Sequence, residues 1–206
     1  DASECPPTFS TNPDMVQGII AGGKGALTSS IEGAEDQIEK GKQEIIRKDV
    51  SVNDIVLGIT AGGTAKFVLG ALEQAKVQSA YTGLFICNES PKPEYVDQII
   101  KILVGPEVVT GSTRMKAGTA TKMVLNMITT TTMIKLNKTY GNVMVDLNAC
   151  NEKLWDRAIR IIMHFTKLDY IKSSELLKHA DGEVKTALLM EKMDYTYKDA
   201  KSILKS

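Results

Sequence analysis

Histidine and cysteine are both scarce in this chain. Of its 206 residues, two are histidines and three are cysteines. His164 and His179 are too few to build a histidine-based metal site. Cys5, Cys87 and Cys150 lie far apart and form no C-x-x-C pair, which favours a reducing compartment over a disulfide framework. The composition therefore predicts a reducing compartment and no histidine-based metal centre.

The chain also lacks an excess of charge and a long apolar run. Lysine and arginine total 25, and aspartate and glutamate total 25, so the formal net charge is zero. This balance argues against binding to nucleic acid through its phosphate backbone. Asn126 and four threonines interrupt the apolar segment 123–136, and the opening D-A-S-E-C-P-P-T has neither the basic start nor the apolar core of a signal peptide. We expect neither a nucleic-acid partner nor a membrane partner.

Short apolar runs alternate with amphipathic segments through the first half of the chain. Four runs are predicted as strands: 15–21, 54–60, 81–87 and 100–104. Three segments are predicted as helices: 26–48 with a break at Gly41, 67–77 and, for one or two turns, 95–100. This alternation predicts an α/β fold, in which helices cover both faces of a doubly wound parallel sheet.

The second half of the chain is predicted to be helical. Long helices are expected at 120–136 and 148–167, and the tail, 172–205, is expected to form three short helices with breaks at Asp181-Gly182 and near Tyr195. We therefore predict two domains, a sheet-containing domain of residues 1–150 and a helical region of residues 151–206.

The segment from Val104 to Met127 carries the clearest functional pattern. It reads V-G-P-E-V-V-T-G-S-T-R-M-K-A-G-T-A-T-K-M-V-L-N-M, so a loop rich in hydroxyls, glycine and cations precedes a helix. Backbone N–H groups at a helix N-terminus, together with hydroxyls and a lysine, favour an anion such as a phosphate or a carboxylate. Ligands of parallel sheets bind beyond the carboxyl ends of the strands, where the loops at 22–23, 61–66 and 88–90 are also expected. An ordinary polar loop before a capped helix is the alternative.

Two acidic features could act as acid or base. Glu4 stands alone near the start of the chain, and Glu32 and Glu35 stand three residues apart, so on a helix they would share a face. A carboxyl group that transfers protons at neutral pH needs burial or like-charged neighbours. Without these, each feature is a solvated surface group.

Five motifs together resemble the N-acetylmuramic acid 6-phosphate etherase family, which belongs to the sugar isomerase (SIS) superfamily. They are D-A-S-E-C-P-P-T (1–8), I-I-A-G-G (19–23), I-E-G-A-E-D (31–36), the segment 104–127 and Y-G-N-V-M-V-D-L (140–147). The resemblance covers nearly the whole chain. It implies a SIS domain that binds a sugar phosphate in residues 1–150, a C-terminal three-helix bundle and a cytoplasmic homodimer.

The resemblance also implies a reaction. The family converts N-acetylmuramic acid 6-phosphate and water into N-acetylglucosamine 6-phosphate and D-lactate, a step in the recycling of cell-wall amino sugars. An elimination followed by the addition of water needs a general acid for the ether oxygen and a base for the C2 proton, but no metal and no organic cofactor. Matched to the family, the catalytic residues would be Glu4, as proton donor, and Glu35. The substrate-binding residues would be Gly62, Gly63, Thr64, Glu107, Ser112, Thr113, Lys116 and Lys122.

Two departures from the family pattern stand out. Where members usually read A-S-G-R-T-P, this chain has Gly62 in place of the serine and Thr64 in place of the arginine. Members also carry a strand and a glycine-serine loop, G-A-G-T-S-G-R-L-G, just before D-A-S-E-C. We therefore expect an N-terminally truncated form, with a gap in its sheet and half of its phosphate cradle missing.

The altered loop leaves two other functions open. One is a sugar-phosphate sensor without catalysis, which would resemble the glucokinase regulatory protein and bind a partner protein. The other is an aldose–ketose isomerase, which would interconvert hexose phosphates without releasing lactate. Retention of Glu4 and Glu35 favours the etherase.

Overall fold

The computed structural model describes residues 1–147, 149 and 151–205. The chain forms two compact units, one of Gly18–Leu125 and one of Asp1–Gln17 together with Asn126–Ser206. The domain boundary expected at residue 150 stays a prediction, because compactness does not establish which segments fold on their own.

The helices and strands of the described residues follow one another in a simple order. The α-helices are α1 (Cys5–Phe9), α2 (Ile38–Arg47), α3 (Lys66–Val77), α4 (Lys116–Lys135), α5 (Glu152–Thr166), α6 (Tyr170–His179), α7 (Val184–Met193) and α8 (Tyr197–Lys205). The strands are β1 (Ile55–Ile59), β2 (Tyr81–Ile86), β3 (Gln98–Lys101), β4 (Thr139–Tyr140) and β5 (Val143–Met144). Short 3-10 helices lie at Ala2–Glu4, Gly23–Leu27 and Ala34–Asp36. No helix among the described residues is both long and apolar enough to cross a bilayer.

A parallel sheet with the order β1-β2-β3 organises the unit of Gly18–Leu125. Ile55 pairs with Tyr81 across the first ladder, and Leu84 pairs with Ile99 across the second. The strands predicted at 54–60 and 81–87 are confirmed. The strand predicted at 100–104 is β3, which begins two residues earlier than expected and ends at Lys101.

Both faces of this sheet are covered, because β2 is buried along nearly its whole length. Leu84 and Ile86 pack with Leu72 of α3 on one face. Phe85 and the following Cys87 pack with Ala117 and Val124 of α4 on the other. Alternate residues of one strand thus contact helices on opposite sides, as the apolar run predicts. The α/β fold with helices on both faces is confirmed.

Two glycines let α2 and α3 approach each other closely. A Cβ atom at Gly41 of α2 would lie 2.0 Å from the carbonyl oxygen of Phe67, and one at Gly70 of α3 would lie 2.5 Å from the carbonyl oxygen of Ile38. The break predicted at Gly41 is therefore wrong. The glycine lies inside a continuous helix, and it is needed for packing rather than for a turn.

Three other predicted elements are wrong. Residues 15–21 form no strand; Ile19 packs on the core beside α2, while Met15 and Ile20 are exposed. The helix predicted from residue 26 begins only at Ile38, because small polar residues and Gly33, with a φ of 68°, favour turns and 3-10 geometry before it. No helix forms at 95–100, since residues from Gln98 onward pair with β2 instead.

The unit of Asp1–Gln17 and Asn126–Ser206 is mostly helical. Its core is built by α5, α6 and α7, with Ile159, Ile162, Leu177 and Val184 almost completely buried. Three short helices in the tail are confirmed as α6, α7 and α8. The helix predicted from residue 148 begins at Glu152, where the Asn151 side chain accepts a hydrogen bond from the Leu154 N–H; Asn148 itself lies outside the described residues.

The glycines between α2 and α3 generate a first prediction. Gly41→Ala and Gly70→Ala should each lower the free energy of unfolding by about 1–3 kcal/mol, because the added methyl group meets rigid backbone. The matched control is Gly118→Ala in α4, where the nearest atom would be 3.6 Å away. That change should be neutral or stabilising, since alanine favours helix by up to about 1 kcal/mol. Urea unfolding measures all three, and equal stability of Gly41→Ala and Gly118→Ala would contradict the packing argument.

Candidate functional site

A cavity of about 500 Å³ opens beyond the carboxyl ends of the three parallel strands. This volume lies in the range of pockets that bind small molecules. The lining comprises residues 61–62, 87–89 and 103–107, with Thr110, Gly111, Thr113 and Ala117. The loops expected after β1 and β2, and the loop before α4, therefore meet as predicted. The Gly22-Gly23 loop is not part of this lining, because the strand expected before it does not form.

The loop after β1 has two adjacent glycines with different constraints. Gly63 is buried with a φ of 81°, and a Cβ atom there would lie 2.8 Å from the Cβ atom of Ser90. Gly62 lines the cavity, and a Cβ atom there would meet only the Thr64 hydroxyl, at 3.6 Å. The backbone therefore requires glycine at Gly63 and tolerates a side chain at Gly62.

The N-terminus of α4 already holds an anion, which is the side chain of Glu107. The Glu107 carboxylate accepts hydrogen bonds from the backbone N–H groups of Lys116 and Ala117, each at 3.0 Å. These bonds, with the nearby Lys116 charge, hold the pKa of Glu107 below its ordinary value. Glu107 thus lines the cavity as a carboxylate and ties the loop before α4 to the helix it precedes.

Two further groups of the cavity have no role assigned from the sequence, although the loop 88–90 is expected at this edge of the sheet. Cys87 is the last residue of the predicted strand 81–87, and burial raises the pKa of its thiol, so the thiol stays protonated at neutral pH. Glu89 lies two residues after Cys87 and forms an ion pair with Lys101 at 2.5 Å. Position at the carboxyl end of a predicted strand was the signal that could have identified both.

Some of the other expected substrate-binding residues line the cavity and others do not. Thr113 lines the cavity. Ser112 is half-buried in the same loop, where its N–H donates to the Val109 carbonyl. The Lys116 ammonium group donates to the Pro106 carbonyl at 2.8 Å. Lys122 is exposed on α4 and is not part of the lining.

Glu35 lies in the 3-10 helix Ala34–Asp36, which packs against α3. Its neighbour Asp36 forms an exposed ion pair of 3.8 Å with Lys66, the first residue of α3. Because Lys66 follows the glycine loop after β1, Glu35 stands near the end of α3 that adjoins this loop. Glu35 is exposed and is not part of the cavity lining.

Glu4 belongs to the other compact unit, in the 3-10 helix Ala2–Glu4. The Asp1 carboxylate anchors this segment, since it accepts hydrogen bonds from the side chains of Asn126 and Thr129 of α4. Cys5 is buried and Glu4 is exposed. The convergence of Glu4 and Glu35 on one substrate stays a prediction.

The described residues show no group of three or more histidine, cysteine, aspartate or glutamate side chains that could hold a metal ion. The chemical resources of the cavity are therefore carboxylates, hydroxyls, backbone N–H groups and nearby lysines.

Comparisons with known proteins identify close relatives. The chain is similar to the N-acetylmuramic acid 6-phosphate etherase of Clostridium acetobutylicum, with 49% identity over 99% of this chain and 68% of the relative. It is 52% identical to that of Gloeobacter violaceus over 92% of this chain and 62% of the relative, and 47% identical to that of Rhodopirellula baltica over 99% and 68%. The chain thus spans about two thirds of the length of these relatives. A family model of the glucokinase regulatory protein N-terminal SIS domain matches residues 2–76.

The two glycines after β1 generate a second prediction. Gly63→Ala should lower the free energy of unfolding by about 1–2 kcal/mol, because a left-handed backbone disfavours a Cβ atom and Ser90 lies too close. Gly62→Ser should leave stability unchanged, because the space for its side chain is open. Urea unfolding of the two variants measures this difference, and a Gly62→Ser protein less stable than Gly63→Ala would contradict it.

The Glu107 cap generates a third prediction, on pH. A carboxyl group whose pKa is lower in the folded state stabilises the fold fully above its unfolded pKa and loses this effect as pH falls through the folded pKa. Glu107→Gln should therefore lower Tm by a few degrees at pH 7. The deficit should shrink as pH falls below the ordinary value of 4.5.

Glu94→Gln, on an exposed loop, is the matched control for this pH series. It removes the same charge without touching a helix terminus, so its Tm should follow that of the unaltered chain at each pH. A Glu107→Gln deficit that grows towards low pH would show that the carboxylate does not stabilise the helix.

Proposed function

Since the chain belongs to the N-acetylmuramic acid 6-phosphate etherase family, we propose that it cleaves the lactyl ether of N-acetylmuramic acid 6-phosphate. The products are N-acetylglucosamine 6-phosphate and D-lactate, and the step serves the recycling of cell-wall amino sugars. The observation that carries this proposal is the 49% identity to a named etherase over 99% of the chain. The cavity at the carboxyl ends of the strands supports it, because this is where parallel sheets bind their ligands.

The reaction has two steps, an elimination and an addition of water, and each step needs two proton transfers. In the open-chain sugar, a base removes the C2 proton, the electron pair forms the C2–C3 double bond, and the C3–O bond breaks. An acid protonates the departing lactate oxygen, because an ether oxygen is otherwise a poor leaving group. Water then adds to C3 and a proton returns to C2, which restores both groups. No electron acceptor and no co-reactant besides water is required.

Glu4 and Glu35 are the residues proposed for these transfers, with Glu4 as the proton donor to the ether oxygen. Both are exposed. A carboxyl group that works at neutral pH needs an environment that favours its protonated form. Enclosure by the bound substrate supplies that environment in this proposal.

The phosphate of the substrate is proposed to bind in the loops around the cavity. Gly62 and Thr113 line the cavity and would offer an N–H group and a hydroxyl, and Thr64 and Ser112, which lie beside them in the same loops, would add further hydroxyls. Gly63 would shape its loop, because its own N–H group donates to the Thr60 carbonyl. Lys116 and Lys122 add positive charge from the first two turns of α4. Backbone N–H groups, hydroxyls and lysines are common phosphate ligands.

A non-catalytic sugar-phosphate sensor is the second candidate. The observation that favours it is the match of residues 2–76 to the glucokinase regulatory protein N-terminal SIS domain, together with Gly62 and Thr64 at positions where etherases usually have serine and arginine. A sensor would bind the sugar phosphate and release no lactate. We place the protein in the cytoplasm as a homodimer; separation of cell fractions tests the first statement and sedimentation velocity the second.

Substitution of the two glutamates generates the fourth prediction. Glu4→Gln and Glu35→Gln should each lower kcat for D-lactate release by about 10²- to 10⁴-fold, because each removes one proton-transfer group. A coupled D-lactate assay measures this on residues 1–206 and on a version with a relative's preceding segment joined to Asp1. Glu39→Gln, exposed in the first turn of α2, is the matched control and should keep its rate.

The same assay separates the candidates. D-lactate release that survives Glu4→Gln and Glu35→Gln together would overturn the roles given to these residues. Binding of the sugar phosphate without any D-lactate release, in both versions of the chain, would favour the sensor. Interconversion of hexose phosphates would favour the isomerase.

A further inference from the structure

The charged side chains that line the cavity are negative, whereas a phosphate pocket is expected to carry positive charge. Its described lining residues include two carboxylates, Glu89 and Glu107, and neither lysine nor arginine. Glu89 is neutralised by its ion pair with Lys101 at 2.5 Å. Glu107 is therefore the carboxylate of this lining whose charge is balanced by backbone N–H groups rather than by a close ion pair.

Glu107 is held by backbone hydrogen bonds and still has acceptor capacity. Its Oε2 atom accepts from the Lys116 N–H and its Oε1 atom from the Ala117 N–H, both at 3.0 Å. A carboxylate offers about four acceptor positions, two on each oxygen. The Met115 N–H also contributes to the carboxylate, so at least one acceptor position remains for a group inside the cavity.

A phosphate would be a poor neighbour for this carboxylate. The two groups carry charge of the same sign, and two N–H groups at the start of α4, those of Lys116 and Ala117, already donate to Glu107. Backbone N–H groups elsewhere in the lining remain available. Those of Gly62 and Gly111 have no acceptor within the part of the chain that the structure describes.

Resting on the proposed function, we propose that Glu107 binds the ring hydroxyl groups of the sugar phosphate, while the phosphate group binds on the Gly62 and Gly111 side of the cavity. Hydroxyl groups are donors, and a charged acceptor forms the stronger class of hydrogen bond with them. The Glu107 carboxylate at the N-terminus of α4 then orients the sugar ring, while other groups of the cavity bind the phosphate charge.

The test compares two ligands on the unaltered chain and on two variants. Binding of N-acetylglucosamine 6-phosphate and of inorganic phosphate is measured by NMR titration, which detects millimolar affinities. Glu107→Gln should weaken binding of the sugar phosphate by roughly 10- to 100-fold, the range of one or two hydrogen bonds to a charged group. The same change should leave inorganic phosphate unchanged or bound more tightly, because a like charge has been removed. Glu94→Gln should alter neither affinity.

Deoxy analogues of the sugar phosphate provide a second measurement that does not depend on the stability of a variant. On the unaltered chain, at least one analogue that lacks a single ring hydroxyl should bind about tenfold more weakly. On Glu107→Gln the difference between this analogue and the parent sugar phosphate should shrink, since a neutral amide oxygen forms a weaker hydrogen bond with that hydroxyl than a carboxylate does.

Three outcomes overturn the proposal. Glu107→Gln could weaken both ligands equally, as expected if Glu107 only shapes the loop. It could leave sugar-phosphate binding unchanged, or all deoxy analogues could bind the unaltered chain as well as the parent does. Failure of the proposed function is a separate result. If the chain binds the sugar phosphate through Glu107 but releases no D-lactate, the role of Glu107 is supported and the etherase activity is contradicted.

Discussion

The hydrogen bonds from the N-terminus of α4 to the Glu107 carboxylate are the contact on which the cavity depends. They join a loop of about ten residues to the helix that follows it. They also provide acceptors for two N–H groups that an uncapped helix N-terminus would leave without partners. The first turn of α4 also places Ala117 against Cys87 at the end of β2. One side chain therefore fixes the loop, the helix terminus and one wall of the cavity together.

On the other face of the sheet, the separation of helices is set by glycine. Because Gly41 and Gly70 have no side chains, α2 and α3 approach until backbone meets backbone. The 3-10 helix with Glu35 precedes α2 and packs on α3, so its position depends on this contact. A candidate catalytic residue is thus held by packing at some distance from the cavity, and the exposure of Glu35 leaves room for a substrate to cover it.

Some elements could be predicted from the sequence, and the failures share a cause. Strands β1 and β2 have apolar runs that end at polar loops, and α3, α5 and the tail helices have clear periodicity, so pattern alone was enough. The run at 15–21 looks the same in composition, yet no strand forms there. A strand requires a neighbour for its backbone groups, and composition does not reveal one. The helix break predicted at Gly41 is wrong for a related reason, since a helix break and a close contact between helices both favour glycine.

At the candidate site, the sequence by itself determined which chemical groups are present, and it left open whether the start of α4 binds an anion or is an ordinary capped helix after a polar loop. Hydroxyls, glycines and a following helix are local features, and local features can be read along the chain. Only the tertiary structure decided that the Glu107 carboxylate caps α4, that Gly63 is confined by Ser90 while Gly62 is not, and that Glu89 has Lys101 as its partner. Each of these facts depends on residues that are distant along the chain or meet across a loop, where distance and direction in space, rather than order in the sequence, decide the energy.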